Sequence, residues 1–321
     1  GQGTQKPSAP QSPFREGQGI ELDKSKFVFG RILAQGSDST IHEGLCASGA
    51  VAGQRVALKV QTRHRKTTIQ VTTECNVLTK IRQAHGTTPR IQSLVAYGCI
   101  GEEFYVLVTL LLGPDLLHLL PASQRMSPRN LLIAAFQGLE ALETLHSAGY
   151  IHRDIKPENL VSTTADGGGG LQLIDFGTAE ALYDREGRRR TTPQAVEGTL
   201  PYMSTTTHAK QPLSKRDDIQ SLAWTLLRLY VGSLPWDGLS MKEAGQVCTM
   251  KQKWMADTEA ARGDDAVVHL LRGMATASAA LDVDQDPGYA AMRKAVEDAW
   301  RATSPVVAGS LALGAENFAW T

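Results

Sequence analysis

Two short segments of the sequence carry residue types that together suit the transfer of a charged group. The first, His152-Arg153-Asp154-Ile155-Lys156-Pro157-Glu158-Asn159, brings a carboxylate, an ammonium group and a carboxamide close together in the chain, and the second is Asp175-Phe176-Gly177. A carboxylate can accept a proton, and a lysine ammonium can offset the charge of an anion. The side-chain oxygens of Asn159 and Asp175 are hard ligands of the kind that Mg²⁺ prefers.

These segments resemble the catalytic loop and the metal-binding motif of protein kinases. The resemblance implies that Asp154 accepts or orients the proton of a substrate hydroxyl, that Lys156 neutralises the transferring phosphate, and that His152 supports the loop. It also implies ATP and Mg²⁺ as cofactors, with Asn159 and Asp175 as the metal ligands. A lysine at position 156 is the pattern of Ser/Thr kinases rather than of Tyr kinases.

The same resemblance places most of an ATP site earlier in the chain. Lys59 ends the predicted strand Val56-Ala57-Leu58-Lys59 and would contact the α- and β-phosphates while pairing with Glu74 on the next predicted helix. Without the catalytic loop, an exposed strand lysine and an exposed helix glutamate would be the ordinary interpretation. The other implied members are a loop glycine, apolar residues around the adenine, a gatekeeper and two hinge positions: Gly36, Ile41, Ala57, Val161, Thr109, Leu110 and Leu112.

The glycine-rich loop departs most from the family pattern. The motif GxGxxG falls on Ala34-Gln35-Gly36-Ser37-Asp38-Ser39, so only the middle glycine remains. Glycine matters here because backbone N–H groups approach the phosphates without a Cβ in the way. Asp38 also brings negative charge to the loop tip. These changes keep open a pseudokinase or scaffold that binds a protein partner with weak or no catalysis. A kinase-like enzyme acting on a small molecule is a third, weaker alternative.

The predicted elements that must position these residues change in type near residue 113. Strands and one helix come first, and helices follow after Gly113-Pro114, one of them starting at Ser127-Pro128. We therefore predict an α+β fold, the bilobal protein kinase fold, with a small antiparallel β-sheet lobe carrying one helix and a larger, mainly helical lobe. The predicted divisions are a disordered N-terminal arm, the first lobe, the second lobe and a C-terminal tail: 1–25, 26–112, 113–301 and 302–321.

The segment that follows the metal motif narrows the resemblance to the casein kinase I group, which includes tau-tubulin and vaccinia-related kinases. Where most kinases have Ala-Pro-Glu, this group has Ser-Ile-Asn, and Ser204-Thr205-Thr206 is a partial match. The resemblance covers about residues 26 to 301. It implies that Thr199 bridges to Asp154 and Lys156. It further implies that Asp218, on a buried helix, holds the backbone of the catalytic loop, a role compatible with capping that helix.

Substrate preference is the least determined property. Members of the group favour acidic or already phosphorylated substrates and use a cationic residue just before the activation-segment tyrosine, where this chain has Pro201. Four nearby arginines could supply charge instead, or could form an ordinary solvated loop: Arg185, Arg188, Arg189 and Arg190. The sequence therefore does not predict a preference for primed substrates. Thr191 and Thr192, beside these arginines, are candidate autophosphorylation sites.

Composition argues against several other classes of function. The 321 residues carry 33 basic and 33 acidic side chains, so nothing suggests bulk attraction to nucleic acid or to an anionic membrane. No apolar run is long enough for a membrane span. The four cysteines lack metal-ligand spacing, which favours reduced thiols and a cytoplasmic or nuclear location. Protein substrates are the expected partners, and a monomer is the default expectation.

Overall fold

The computed structural model describes residues 12–36, 38–191, 196–303 and 318. The chain forms two compact units. One includes the residues up to Lys80 together with Gln92–Leu112, and the other includes Ile81–Ile91 and the residues from Gly113 onwards. The short segment Ile81–Ile91 therefore belongs with the later part of the chain, although strands of the first unit follow it.

The first unit is a six-stranded sheet with one helix. Its elements are β1 (Gly19–Leu22), β2 (Ser25–Gln35), β3 (Ser39–Cys46), β4 (Arg55–Thr62), α1 (Arg65–His85), β5 (Leu94–Ile100) and β6 (Phe104–Leu110). The strand order is β1-β2-β3-β4-β6-β5, and all neighbours are antiparallel. The predicted antiparallel sheet with one helix is confirmed.

Alternation along β4 explains how the two faces of this sheet differ. Val56, Leu58 and Val60 are buried in a core that includes Phe27 and Phe29. Residues between them point to the other face, because successive side chains of a strand alternate. That other face receives α1, where Val71 and Cys75 pack against Leu107 of β6.

Residues 12–25 differ from the disordered arm that the sequence predicted. Phe14 is buried and stacks on Phe29, with ring centroids 4.5 Å apart. Ser12 Oγ lies 2.8 Å from His42 Nε2, and β1 pairs with β2. Phe14 and Leu22 are the buried side chains of this segment, and two widely spaced residues do not mark it by an apolar periodicity in the sequence. Polar residues interrupt the apolar pattern of β3, so the sequence does not mark this strand clearly.

The second unit is mainly helical. Its elements are α2 (Pro128–Ser147), β7 (Tyr150–Ile151), β8 (Leu160–Ser162), β9 (Leu171–Leu173), β10 (Glu180–Ala181), α3 (Thr205–His208), α4 (Lys215–Val231), α5 (Ala244–Ala256), α6 (Thr258–Ala261), α7 (Ala266–Ala280) and α8 (Tyr289–Thr303). Helix α4 packs against α2 and α7, and α2 also packs against α8. Among the described residues, every helix is too short or too polar to cross a lipid bilayer.

Local sequence explains where the two central helices begin. Ser127 caps α2 by accepting from the Asn130 amide at 3.3 Å, and Pro128 occupies the first turn, as predicted. Asp217 caps the start of α4, because its carboxylate accepts from the Ser214 amide at 2.7 Å. Asp218 therefore does not cap α4, although the sequence was compatible with that role. Helix α5 was not predicted, because Val247 and Lys251 are its only buried residues in the described structure.

Candidate active site

The three residues predicted to be catalytic lie together in the second unit. The segment 152–159 connects β7 to β8, and its Asp154 carboxylate is held at both oxygens. Lys156 Nζ donates to Asp154 Oδ2 at 2.7 Å, and Thr199 Oγ1 donates to Asp154 Oδ1 at 2.7 Å. Lys156 Nζ also lies 3.4 Å from Thr199 Oγ1. The carboxylate is thus fixed in direction beside a cation.

The charge of Lys156 is stabilised where it lies. Burial lowers the pKa of this ammonium, but the hydrogen bond and charge of Asp154, with the charges of Asp175 and Glu158, outweigh burial and raise the pKa above its ordinary value. Lys156 is therefore a fixed positive charge at neutral pH. Such a charge can stabilise an anionic group that approaches Asp154.

The two predicted metal ligands lie on adjoining backbone segments. Ile174 N donates to Asn159 O at 3.0 Å, which places Asp175 next to Asn159 in space. Asn159 Nδ2 donates to Asp154 O at 2.8 Å, so its amide oxygen remains as a ligand. Asp175 adopts the left-handed conformation, with φ of 63°. This pair of hard oxygens fits Mg²⁺, which takes few protein ligands when phosphates supply the others. The described structure contains no group of three or more His, Cys, Asp or Glu side chains that could hold a metal ion.

Asp218 of α4 organises the backbone of the catalytic loop. Its Oδ1 accepts from Arg153 N at 2.9 Å, and its Oδ2 accepts from His152 N at 2.7 Å. His146 Nε2 also lies 2.8 Å from Oδ2. Burial raises the pKa of Asp218, but the bond from His146, nearby histidine charge and the backbone donor more than offset it, so the pKa is lowered. The carboxylate is charged, and it positions the residue immediately before Asp154.

His152 supports the loop from its other side. Asp154 N donates to His152 Nδ1 at 3.3 Å, so the proton is assigned to Nε2, which donates to Ile174 O at 3.0 Å. The ring also packs edge-on against Phe176, with centroids 5.2 Å apart. A single imidazole therefore connects the catalytic loop to the segment that carries Asp175, the predicted metal ligand.

Arg153 has a role that the sequence did not reveal. Its guanidinium forms ion pairs with Glu180 at 2.9 Å and with Glu197 at 3.2 Å, and its Nε donates to Thr178 O at 2.6 Å. Thr178 and Glu180 lie at the start of the segment between the metal motif and Thr199, and Glu197 lies near its end. Arg153 was visible as part of the motif, but its partners are distant in sequence and carry no motif of their own.

The predicted phosphate anchor is assembled in the first unit. Lys59 Nζ donates to Glu74 Oε2 at 2.9 Å, and the glutamate side chain is only 3% exposed. Register pairs Ile41 with Lys59 and Ala57 with Thr109, so these four residues share one face of the sheet. It is the face on which α1 packs. Four predicted nucleotide-site residues and Glu74 therefore lie on one side of this unit.

The remaining predicted nucleotide residues are placed by their strands. Leu110 pairs with Val56, on the opposite face from Thr109, and Leu112 is the last residue of the first unit. Thr109 is almost fully buried and accepts from Gln92 Nε2 at 2.9 Å. Val161 belongs to the second unit, where it is buried in β8 opposite Gln172.

The loop between β2 and β3 keeps its tip charge in ion pairs. Asp38 lies 3.4 Å from His64 Nε2 and 3.7 Å from Lys66 Nζ, both near the start of α1. Gly36 N donates to Ser39 O at 2.8 Å, which closes the turn. A Cβ at Gly36 would make only ordinary contacts, so this glycine is not required by local packing. The loop is compact and its aspartate is partly compensated.

The general model of the protein kinase domain matches residues 27–279. This chain belongs to the protein kinase family. The solved structure of vaccinia related kinase 3 has the same fold, with a TM-score of 0.74 and 19% sequence identity over 91% of this chain and 94% of that chain. The predicted kinase fold, with a sheet-containing part and a helical part, is thus confirmed.

In this kinase domain, most of the arginines that could have bound a substrate phosphate form ion pairs with acidic residues. Arg188 pairs with Asp184 and Glu186, Arg189 with Asp284, and Arg190 with Glu180. Arg189 also donates to three backbone carbonyls. Arg189 is therefore held in place as a structural residue, whereas Arg188 and Arg190 are paired but remain largely exposed, and Arg185 is exposed. Thr191 is exposed at the end of a described stretch, and Thr192 lies outside the described residues.

Proposed function

We propose that this kinase domain transfers the γ-phosphate of ATP to serine and threonine hydroxyls of proteins. The observation that carries the proposal is the closed set of hydrogen bonds among Asp154, Lys156 and Thr199. A carboxylate held at both oxygens suits a group that must orient a hydroxyl and accept its proton. The lysine two residues after it favours Ser/Thr over Tyr acceptors, through the family resemblance.

Each member of the site then has a distinct task. Asp154 would hold the acceptor hydroxyl, and Lys156 would neutralise the charge that develops on the transferring phosphate. Asn159 and Asp175 would hold magnesium, which when bound offsets the charge of the phosphates. In the first unit, the Lys59–Glu74 pair would position the α- and β-phosphates.

The proposed substrate class is acidic protein sequence that needs no priming phosphate, for a kinase of the casein kinase I group. The partial Ser204-Thr205-Thr206 match supports the group, and acidic proteins are the group's usual substrates. Pro201 offers no charge, and Arg188, Arg189 and Arg190 are engaged in ion pairs. A phosphate near the acceptor would therefore compete with these acidic partners for the three arginines, while Arg185 is exposed. We expect comparable activity on primed and unprimed acidic peptides.

Phosphate transfer to casein with Mg-ATP tests the activity. Asp154→Asn should lower the rate about 10²–10⁴-fold, because the proton acceptor is lost while the side-chain shape is kept. Asp298→Asn, at an exposed position of α8, is the matched control and should behave as wild type. Binding of ATP without any transfer by the wild-type protein would refute the enzyme proposal.

A scaffold without catalysis is the second candidate, and the glycine-rich loop favours it. Ala34 and Ser39 stand where the family has glycines. The loop tip carries the charged residue Asp38, which pairs with His64 and Lys66. A thermal-shift titration with ATP, with and without magnesium, separates the candidates. No shift at millimolar nucleotide would favour the scaffold, and a magnesium-dependent shift would favour the kinase.

The cellular setting is also a proposal. All four cysteines are free thiols, with Cys46 and Cys75 buried. This supports a reducing compartment, cytoplasmic or nuclear. We propose a monomer with protein substrates and without a nucleic-acid partner. Size-exclusion chromatography with light scattering checks the oligomeric state.

A further inference from the structure

Lys251 of α5 is fully buried, with 0% of its surface exposed. Lysine is almost never buried to this extent unless its ammonium has partners. Its Nζ donates to Met203 O at 2.6 Å and to Leu200 O at 3.3 Å, and it lies 3.3 Å from His208 Nε2. These acceptors are two backbone carbonyls and an imidazole. None of them is a carboxylate, so the lysine does not serve an ordinary ion pair.

Burial lowers the pKa of Lys251 well below its ordinary value, and the geometry satisfies its Nζ both as an ammonium and as a neutral amine. An ammonium has three donors, and the two carbonyls with His208 supply three acceptors. Burial and the charge of Lys251 lower the pKa of His208 to about 4, so the imidazole is neutral at pH 7 and can accept. The faces of Trp236 and Trp224 lie 5.3 Å and 5.8 Å from Nζ. Even a neutral amine would keep two N–H groups for the carbonyls of Leu200 and Met203.

A second buried donor holds the same segment. Trp236 Nε1 donates to Pro201 O at 2.9 Å. Side-chain donors therefore hold three carbonyls of the short stretch from Leu200 to Met203. This stretch is a 3-10 turn in which the amides of Tyr202 and Met203 donate to Thr199 O at 2.9 Å and 3.2 Å.

The turn leads directly to the catalytic carboxylate. Thr199 begins it, and the side chain of Thr199 donates to Asp154 Oδ1 at 2.7 Å. A continuous path of hydrogen bonds therefore runs from Lys251 through the turn to Asp154. Movement of the turn would change the direction of the Asp154 carboxylate, and misplacement of a catalytic group by about 1 Å can cost roughly 10²-fold in rate.

We propose that Lys251 is a positioning residue that fixes the turn from Leu200 to Met203, and through Thr199 the catalytic Asp154, for transfer to a peptide hydroxyl. This inference rests on the proposed function, because the kinetic effect requires a kinase that accepts a peptide. The proposal has a kinetic half and a structural half. The structural half, which is the immobilisation of the turn by a buried lysine, does not depend on activity. The two halves can therefore be tested separately.

The test compares Lys251→Met with Lys253→Met. Methionine keeps the apolar length of the lysine and removes its donors, and Lys253 is an exposed position two residues further along α5. For Lys251→Met we expect a folded protein, an unchanged KM for ATP, and a kcat on peptide lowered about 10–100-fold. The amides of Tyr202 and Met203 should exchange with deuterium at least about ten times faster. Lys253→Met should match wild type in every measurement.

Trp236→Phe provides an independent second variant. It keeps an aromatic ring against Trp224, whose centroid lies 5.2 Å away, but removes the N–H that Pro201 O accepts. A lower kcat and faster amide exchange in Trp236→Phe, both smaller than expected for Lys251→Met, support the proposal. This holds even if Lys251→Met fails to fold. Wild-type kcat and wild-type exchange in both folded variants would overturn it. Faster exchange in a protein whose wild type transfers no phosphate would support the immobilised turn and refute the proposed kinase function instead.

Discussion

Asp218→Asn is the substitution that most sharply tests how the catalytic loop is held. Each oxygen of this carboxylate accepts from a different backbone amide, Arg153 N at Oδ1 and His152 N at Oδ2. An asparagine offers one oxygen and one NH₂ group. Whichever way the amide is turned, its NH₂ faces a backbone N–H. His146 could change its proton position to adapt, but a backbone amide cannot.

The cost follows from the number of bonds affected. One buried N–H loses its acceptor, which costs about 1–3 kcal/mol, and the remaining bond to a neutral oxygen is weaker than the charged one by about 1 kcal/mol. We expect a loss of about 3 kcal/mol in the free energy of unfolding. At about 2–4 °C per kcal/mol for a domain of this size, the melting temperature should fall by roughly 6–12 °C. The kcat should fall as well, since Asp154 follows the released amides.

Asp217→Asn is a matched control at the neighbouring buried residue. Its carboxylate accepts from only one backbone amide, Ser214 N at 2.7 Å, and its other partners are the Ser204 hydroxyl at 2.6 Å and Arg216 Nε, which lies 4.0 Å away. A hydroxyl can accept from the new NH₂ and donate onwards to Thr207 Oγ1. Burial raises the pKa of Asp217, so loss of its charge costs little. We expect a change of less than about 1 kcal/mol, within the usual range for a substitution that leaves no polar group unpaired.

Thermal and urea unfolding from pH 5 to 8 measures both variants. The pKa of Asp218 is lowered in the folded protein, so its stabilisation is fully present above the unfolded value of about 3.9 and is lost only as pH falls through the folded pKa. The difference between wild type and Asp218→Asn should therefore stay constant over this range. Equal losses in the two variants, or a melting temperature of Asp218→Asn within about 2 °C of wild type, would contradict the argument.

Three further outcomes are expected. Lys59→Met should abolish the thermal shift produced by saturating Mg-ATP, about 2.7 kcal/mol at 100 times Kd, since the cation paired with Glu74 is lost; a retained shift would rule out the anchor role. Asp38→Asn should strengthen Mg-ATP binding by up to about five-fold in titration calorimetry, because it removes a negative charge from the loop and the lost ion pairs are exposed and contribute little. The effect should be smaller at high salt, which screens this charge. Gly113→Ala should destabilise by about 1–3 kcal/mol through a clash with a backbone carbonyl, whereas Gly245→Ala, with open space in α5, should stabilise by about 0.5–1 kcal/mol in urea unfolding.

Contacts within the catalytic loop could be predicted from the sequence, because the residues are close together in the chain. Asp154 and Lys156 are two residues apart, so their contact could be expected from the motif alone. The bond from Thr199 and the support from Asp218 were expected from the family resemblance, and both contacts are present. Their roles in the reaction remain predictions that the substitutions above test.

Other features depended on partners far apart in the chain. The arginines near Thr191 form an open basic loop in the sequence, yet Arg189 pairs with Asp284 and is not available as a free charge. The N-terminal segment lacks apolar periodicity, yet Phe14 stacks on Phe29 and orders it. A sequence pattern records the type of a residue but not which distant residue meets it.

The sequence by itself determined the fold family and the residues that we propose for phosphate transfer, because each motif fixes residue types at short, regular spacings. Only the tertiary structure decided which charges are open and which are neutralised, and which buried groups hold the site. Lys251 is the clearest case, since a lysine between Met250 and Gln252 gives no sign in the sequence that it is buried against Leu200 and Met203. Burial and hydrogen bonding are properties of contacts between distant segments, and these exist only once the chain has folded.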